Sequence, residues 1–138
     1  MTGTLSSDQV TYGGLTATHV IGSAVGAALI PSNGIIGFSK QEAQFSLQYP
    51  NLTNATPFID TLCSQHVVSE CRFGLALTDS GSGTLILGEL DSSLYTGDLS
   101  VAPIIQQWAL IGDLAIGGKI VANDILIELD SGTATVVG

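Results

Sequence analysis

The chain has 138 residues, enough for one compact domain or a large piece of one. It carries 12 acidic and 3 basic side chains, for a formal net charge of -9 and an isoelectric point near 4.1. Lys40, Arg72 and Lys119 are the whole basic supply, so no nucleic acid is expected as a partner, because that needs a dense Lys/Arg footprint. Charged residues make up 11% and hydrophobic ones 45%, which argues against disorder. The longest weakly polar stretch, 19–30, is far short of the roughly 18–20 apolar residues of a spanning helix, and no membrane span is expected.

In chain order the pattern is β throughout. Residues 2–10, 14–20 and 24–30 are short runs rich in Thr, Val, Ile and Leu, with Tyr12-Gly13-Gly14 as a turn between the first two. Asn33-Gly34 and Gly37 then punctuate the apolar pair Ile35-Ile36. From 39 to 56 the composition turns polar and reads as a long surface loop with one helical turn at most. Residues 57–65 are the good helix candidate: Thr56 as N-cap, Pro57 in the first helical position, and Phe58, Ile59, Leu62 and Cys63 as an apolar stripe. Runs 72–77 and 84–88 straddle Asp79-Ser80-Gly81-Ser82-Gly83 and should pair antiparallel. Runs 101–105, 108–116 and 120–129 follow, the last two separated by Gly117-Gly118, and an apolar run to Val137 lies beyond Asp130-Ser131-Gly132-Thr133. Strands at intervals of about ten residues predict an all-β, mainly antiparallel barrel or sandwich with one or two short helices.

Sparse charge and an acidic balance suit a secreted or vacuolar protein working at low pH, since few Lys and Arg limit positive self-repulsion once carboxylates protonate. An acidic soluble domain is the plainer alternative. Asn51-Leu52-Thr53 and Asn54-Ala55-Thr56 read as adjacent N-glycosylation acceptors in a polar loop. Cys63 and Cys71 can pair within the chain only with each other, and a disulfide is the expectation, with two buried free thiols as the alternative. No Cys/His cluster has metal-ligand spacing, no Ser sits in a G-x-S-x-G elbow, and no Gly-rich loop leads into a helix. No cofactor or metal is therefore expected. His19, in an apolar strand, and His66, after the helix, read as structural.

The chemistry concentrates at Asp130-Ser131-Gly132-Thr133, flanked by apolar strands. A carboxylate between apolar segments needs hydrogen-bond donors, and Ser-Gly-Thr offers hydroxyls and an unencumbered backbone N–H. Alone, the tetrapeptide is an ordinary turn. Its context is more specific. Gly88-Glu89-Leu90-Asp91-Ser92-Ser93-Leu94-Tyr95-Thr96-Gly97 matches the G-x-x-D-S-x-x-Y-T-G of pepsin-like aspartic endopeptidases, and Asn33-Gly34-Ile35-Ile36-Gly37 resembles their D-G-I-L-G. Thr2-Gly3-Thr4-Leu5 through Gly13-Gly14-Leu15 resembles the strand leaving their active-site flap. Pro57-Phe58-Ile59-Asp60 through Ser69 resembles the helix and turn that follow, and Trp108 the tryptophan beyond. Asp130 then falls where the second catalytic D-[ST]-G-T belongs.

The resemblance covers the stretch from just after the flap to just past that second motif. It implies part of a bilobal double-ψ β-barrel fold, with residues 1–100 as the rear of the N-terminal lobe. Residues 101–138 would be the inter-lobe strands and the start of the C-terminal lobe. Departures are Asn33 for the usual Asp, Ser32 for an apolar pocket residue, His66 for a turn glycine, and a Cys63/Cys71 pair at no usual family position. The implied reaction is peptide-bond hydrolysis in a peptide or protein substrate by two carboxylates that share a proton and activate a water. Asp130 would be one of them, Ser131 would brace the loop across the lobe interface, Gly132 would donate its N–H, Thr133 would orient the carboxylate, and Ile35 would line the substrate pocket. No other Asp stands in a matching D-[ST]-G-T, and Asp79, Asp91, Asp113 and Asp124 read as turn residues. The isolated chain is therefore expected to be inactive without a complementary chain or segment supplying the second Asp. A non-catalytic pepsin-like scaffold, serving as an interaction or structural module, is the alternative, and a symmetric dimer pairing two copies of Asp130 is a third.

Overall fold

The computed structural model describes residues 2–25, 33–40, 56–105 and 107–133. Among the described residues the strands pair as three two-stranded antiparallel sheets, so the regular strand spacing there is the period of successive hairpins. The chain divides into two compact units, 1–97 and 98–138.

In the first unit, β1 (Thr2–Tyr12) and β2 (Leu15–Val25) form a ladder in unbroken register from Tyr12↔Leu15 to Thr2↔Val25. Gly13 and Gly14 turn the chain at φ 60° and 81°. Two consecutive positive-φ residues give a hairpin turn whose twist matches the strands. Both strands outrun their expected ends. Ala24 and Val25, expected to open a third strand, instead close β2, because pairing with Gly3 and Thr2 satisfies their backbone. Residues 26–30 of that expected strand, and most of the expected 39–56 loop, lie outside the described residues.

The side of β2 bearing Leu15, Ala17 and His19 meets α1 (Phe58–Ser64). Phe58 and Leu62 are 1% and 0% exposed, and with Ile59 and Ala17 they form the core of this unit. Val10, Phe38, Val67, Val68 and Leu87 pack around them. The Phe58 ring stands nearly perpendicular to those of Tyr12 and His19, at 88° and 82°, with centroids 6.5 and 5.4 Å away. The helix begins one residue later than the sequence implies. Pro57, at φ -54° and ψ 151°, is the N-cap and has no side-chain cap bond, while its carbonyl accepts from Thr61 N. Thr56 does not cap; its hydroxyl lies 2.9 Å from that of Thr61.

At the other end of α1, His66 N–H donates to Cys63 O at 3.0 Å and Val67 N–H to Leu62 O at 2.9 Å, with His66 at φ 55°. This pair of bonds is a Schellman closure, which places the residue just after the Gln65 C-cap, His66, in the left-handed region that favours glycine. His66→Gly should therefore stabilise the protein by about 1 kcal/mol, read as a raised denaturant midpoint at unchanged m-value. The Cys63–Cys71 disulfide, with Cα atoms 5.5 Å apart, fastens the last turn of α1 to the approach of β3. Closing so short a loop stabilises by roughly 2–3 kcal/mol in chain-entropy terms.

β3 (Phe73–Leu77) and β4 (Gly83–Leu87) pair from Phe73↔Leu87 to Leu77↔Gly83. A 3₁₀ turn at Ser92–Leu94 follows, capped by Asp91. In the second unit, β5 (Ala109–Ile116) and β6 (Lys119–Glu128) turn at Gly117 and Gly118, both at positive φ. A bulge around Asp113 interrupts their register. Residues 101–105, expected as a strand, form none. Pro103 has no N–H to give a ladder, and Val101 is 93% exposed. No helix among the described residues is long and apolar enough to cross a membrane.

Candidate active-site loop

The hairpin of the second unit ends where Leu129 N–H donates to Trp108 O at 3.0 Å. The chain then folds into the Asp130–Thr133 turn, closed by Thr133 N–H on Asp130 O at 3.2 Å. Both carboxylate oxygens of Asp130 are engaged. Oδ1 accepts from Gly132 N–H at 2.8 Å, and Oδ2 accepts from the Thr133 hydroxyl at 2.6 Å. A Cβ on Gly132 would stand 3.1 Å from Oδ1, so glycine gives the carboxylate its close seat on the backbone. Ser131 is exposed, in the same turn.

The Thr133 hydroxyl, then the Gly132 N–H, hold the Asp130 carboxyl below the ordinary aspartate value. Donors aimed at the charged form favour ionisation. Thr133→Val should therefore raise the Asp130 pKa, with Gly132 retaining part of the depression, as read by NMR titration of the side-chain carboxyl carbon. A carboxylate whose folded pKa is depressed stabilises the fold above its unfolded pKa and loses that contribution as pH falls through the folded one. The variant should thus show a shallower stability loss on acidification below the ordinary aspartate value.

Two other acidic turns bracket this geometry. Asp91 Oδ1 alone takes both Ser93 N–H, at 2.9 Å, and the Ser93 hydroxyl, at 2.6 Å, and these bonds lower its pKa. It caps the 3₁₀ turn and leaves its second oxygen outside that arrangement. Asp79-Ser80-Gly81 repeats the Asp-Ser-Gly triplet in the β3–β4 turn. There the hydroxyls of Thr78, Ser80 and Ser82 bond to one another, and no described residue donates to the Asp79 carboxylate. Asp113 accepts from Asp124 N–H at 3.0 Å, which secures the bulge. Of these carboxylates, only Asp130 has a separate donor on each oxygen.

Ile35 lies in the first unit, on the described segment 33–40, and is 77% exposed. Cys63 and Cys71 are joined. Asn51 and Asn54 lie outside the described residues. His19 is held structurally: its Nδ1 lies 2.9 Å from Thr61 Oγ1, its ring rests on Phe58, and burial lowers its pKa. Among the described residues no group of three or more His, Cys, Asp or Glu could hold a metal. Gln65 escaped the sequence reading altogether. Its side-chain amide accepts from Thr18 N–H at 3.0 Å and donates to Thr18 O at 2.7 Å, docking the end of α1 on the outer edge of β2.

This hairpin-borne Asp-Ser-Gly-Thr loop accompanies a whole-chain match: residues 1–138 fit the family model of the eukaryotic aspartyl protease. The chain belongs to that family. It is 31% identical over 148 residues to pepsin A of Sus scrofa and 29% identical over 147 residues to pepsin A of Rhinolophus ferrumequinum. It is also 29% identical over 146 residues to chymosin of Callithrix jacchus. Each alignment covers 100% of this chain, which spans 37% of either pepsin and 38% of the chymosin.

Proposed function

We propose that this chain supplies one of the two catalytic aspartates, Asp130, of a pepsin-like aspartic endopeptidase. The observation that carries the reading is the two-donor seat of the carboxylate, with Gly132 N–H on one oxygen and the Thr133 hydroxyl on the other. The second aspartate comes from a complementary segment or chain. Brought close together, two carboxylates cannot both ionise comfortably and titrate as one coupled pair sharing a proton. The ionised member takes a proton from a bound water as that water attacks the peptide carbonyl carbon. The protonated member gives its proton to the carbonyl oxygen. The Thr133 and Gly132 donors favour Asp130 as the ionised member. Ser131 braces the loop against the opposite lobe, and Ile35 lines the pocket beside the scissile bond.

In this reading residues 1–100 belong to the rear of the N-terminal lobe, and 101–138 to the inter-lobe strands and the opening of the C-terminal lobe. The protein is secreted or vacuolar/lysosomal, consistent with the disulfide and the acidic composition, and carries glycans at Asn51 and Asn54. The test is the mass of the native particle, with every co-purifying chain sequenced, alongside an assay of peptide hydrolysis at acid pH. Acid-dependent cleavage by a particle that contains a further Asp-[ST]-Gly-Thr-type motif supports the proposal. A particle that holds such a motif and cuts no peptide at any acid pH overturns it and leaves a non-catalytic scaffold.

A further inference from the structure

We infer that Asn33-Gly34 is a site of spontaneous succinimide chemistry, which converts Asn33 to aspartate and isoaspartate and adds a negative charge to the 33–37 loop. The chain has four asparagines, at 33, 51, 54 and 123, and only Asn33 precedes a glycine. Ring closure requires the following backbone nitrogen to swing onto the asparagine side chain, a movement that a Cβ on that residue hinders and glycine permits. Asn33 is exposed at a bend, and the next five residues form neither helix nor strand. An ideal Cβ on Gly34 would meet none of the described residues within 4 Å. Ile35 and Ile36 beside it are 77% and 40% exposed, so water reaches this stretch of the loop.

Asn123 provides the contrast within the same chain. It lies in the ladder strand β6, and its successor Asp124 bears a side chain. The chemistry at Asn33 is balanced with water as the only co-reactant. The deprotonated Gly34 nitrogen attacks Asn33 Cγ, an N–Cγ bond forms, the Cγ–Nδ2 bond breaks, and ammonia leaves. Water then opens the ring. Attack at Cγ breaks the new N–Cγ bond and gives aspartate. Attack at the main-chain carbonyl carbon breaks the original peptide bond and leaves the chain running through Cγ, as isoaspartate. Because the nitrogen must lose its proton, the reaction slows in acid, so a molecule held at low pH keeps Asn33 and one kept near neutrality loses it. The net charge then becomes one unit more negative than -9.

The test is incubation of the intact native protein in oxygen-18 water at pH 8 and at pH 4, with peptide mapping of all four asparagines over time. The expected result is oxygen-18 uptake at residue 33 with release of ammonia. It should be roughly tenfold faster than at Asn123, faster at pH 8 than at pH 4, and roughly tenfold slower in Gly34→Ala, whose Cβ has room. Asn33→Gln should abolish the signal in that peptide while leaving the other positions unchanged. The inference is overturned if residue 33 exchanges no faster than Asn123, or if Gly34→Ala reacts at the wild-type rate with Asn123 as the internal clock.

Discussion

With Asp130 as a catalytic aspartate, as proposed, Asp130→Asn should remove acid-dependent peptide hydrolysis from the native particle, with kcat falling by roughly a thousandfold or more and substrate affinity little changed. The substitution is nearly isosteric. The Asn carbonyl oxygen can still accept from Gly132 N–H, and the Thr133 hydroxyl can reverse its role and accept from the new amide. The turn should therefore keep its shape while losing the only group in it that can take a proton from water. Asp91→Asn is the matched control. It neutralises another turn aspartate held by a backbone N–H and a hydroxyl and should leave turnover unchanged. If hydrolysis survives Asp130→Asn in a protein with native circular dichroism, Asp130 is not catalytic.

Gly88→Ala should lower stability by about 2–4 kcal/mol. Gly88 sits at φ 82°, and an added Cβ would stand 2.5 Å from Val68 Cβ and 2.7 Å from its Cγ1. Val68 cannot easily give way, because its β-branch is stiff and it packs on the Phe58–Leu62 core. Gly88 is itself anchored by its N–H on Arg72 O at 2.8 Å and by the Ser69 hydroxyl on its carbonyl at 3.2 Å. Gly81→Ala separates the two causes. Gly81 has φ 77° but none of the described residues within 4 Å of its Cβ position, so it should cost only the conformational part, about 1 kcal/mol. Denaturant midpoints of the two variants give the comparison. Equal losses at 81 and 88 would mean that the Val68 contact contributes nothing.

What could be read from the sequence follows from how local each cause is. The turns at Gly13-Gly14 and Gly117-Gly118 were legible because the residue type itself supplies the positive φ. The helix was legible from its apolar stripe, although Pro57 rather than Thr56 proved to be the cap, because the hydroxyl of Thr56 goes to Thr61 instead. Strand ends were less legible. β1 and β2 continue through Ser, Thr and Gly positions whose pairing depends on the opposite strand. The 101–105 run looks like a strand in sequence because its apolar residues mask the missing donor of Pro103. Asp130 stands out through family motifs, not through its triplet, which Asp79-Ser80-Gly81 repeats with no described residue donating to the carboxylate. The Gln65–Thr18 and His19–Thr61 contacts join residues 47 and 42 positions apart, and nothing local announces them.

The disulfide has a consequence for the integrity of the polypeptide. Cys63 and Cys71 bracket the closing turn of α1 and the segment through Glu70. A protease that cuts once between them leaves two pieces still held together by sulfur. Such a nicked molecule would keep its mass, apart from the added water, and its Phe58–Leu62 core, and would fall into two pieces only when a thiol is added.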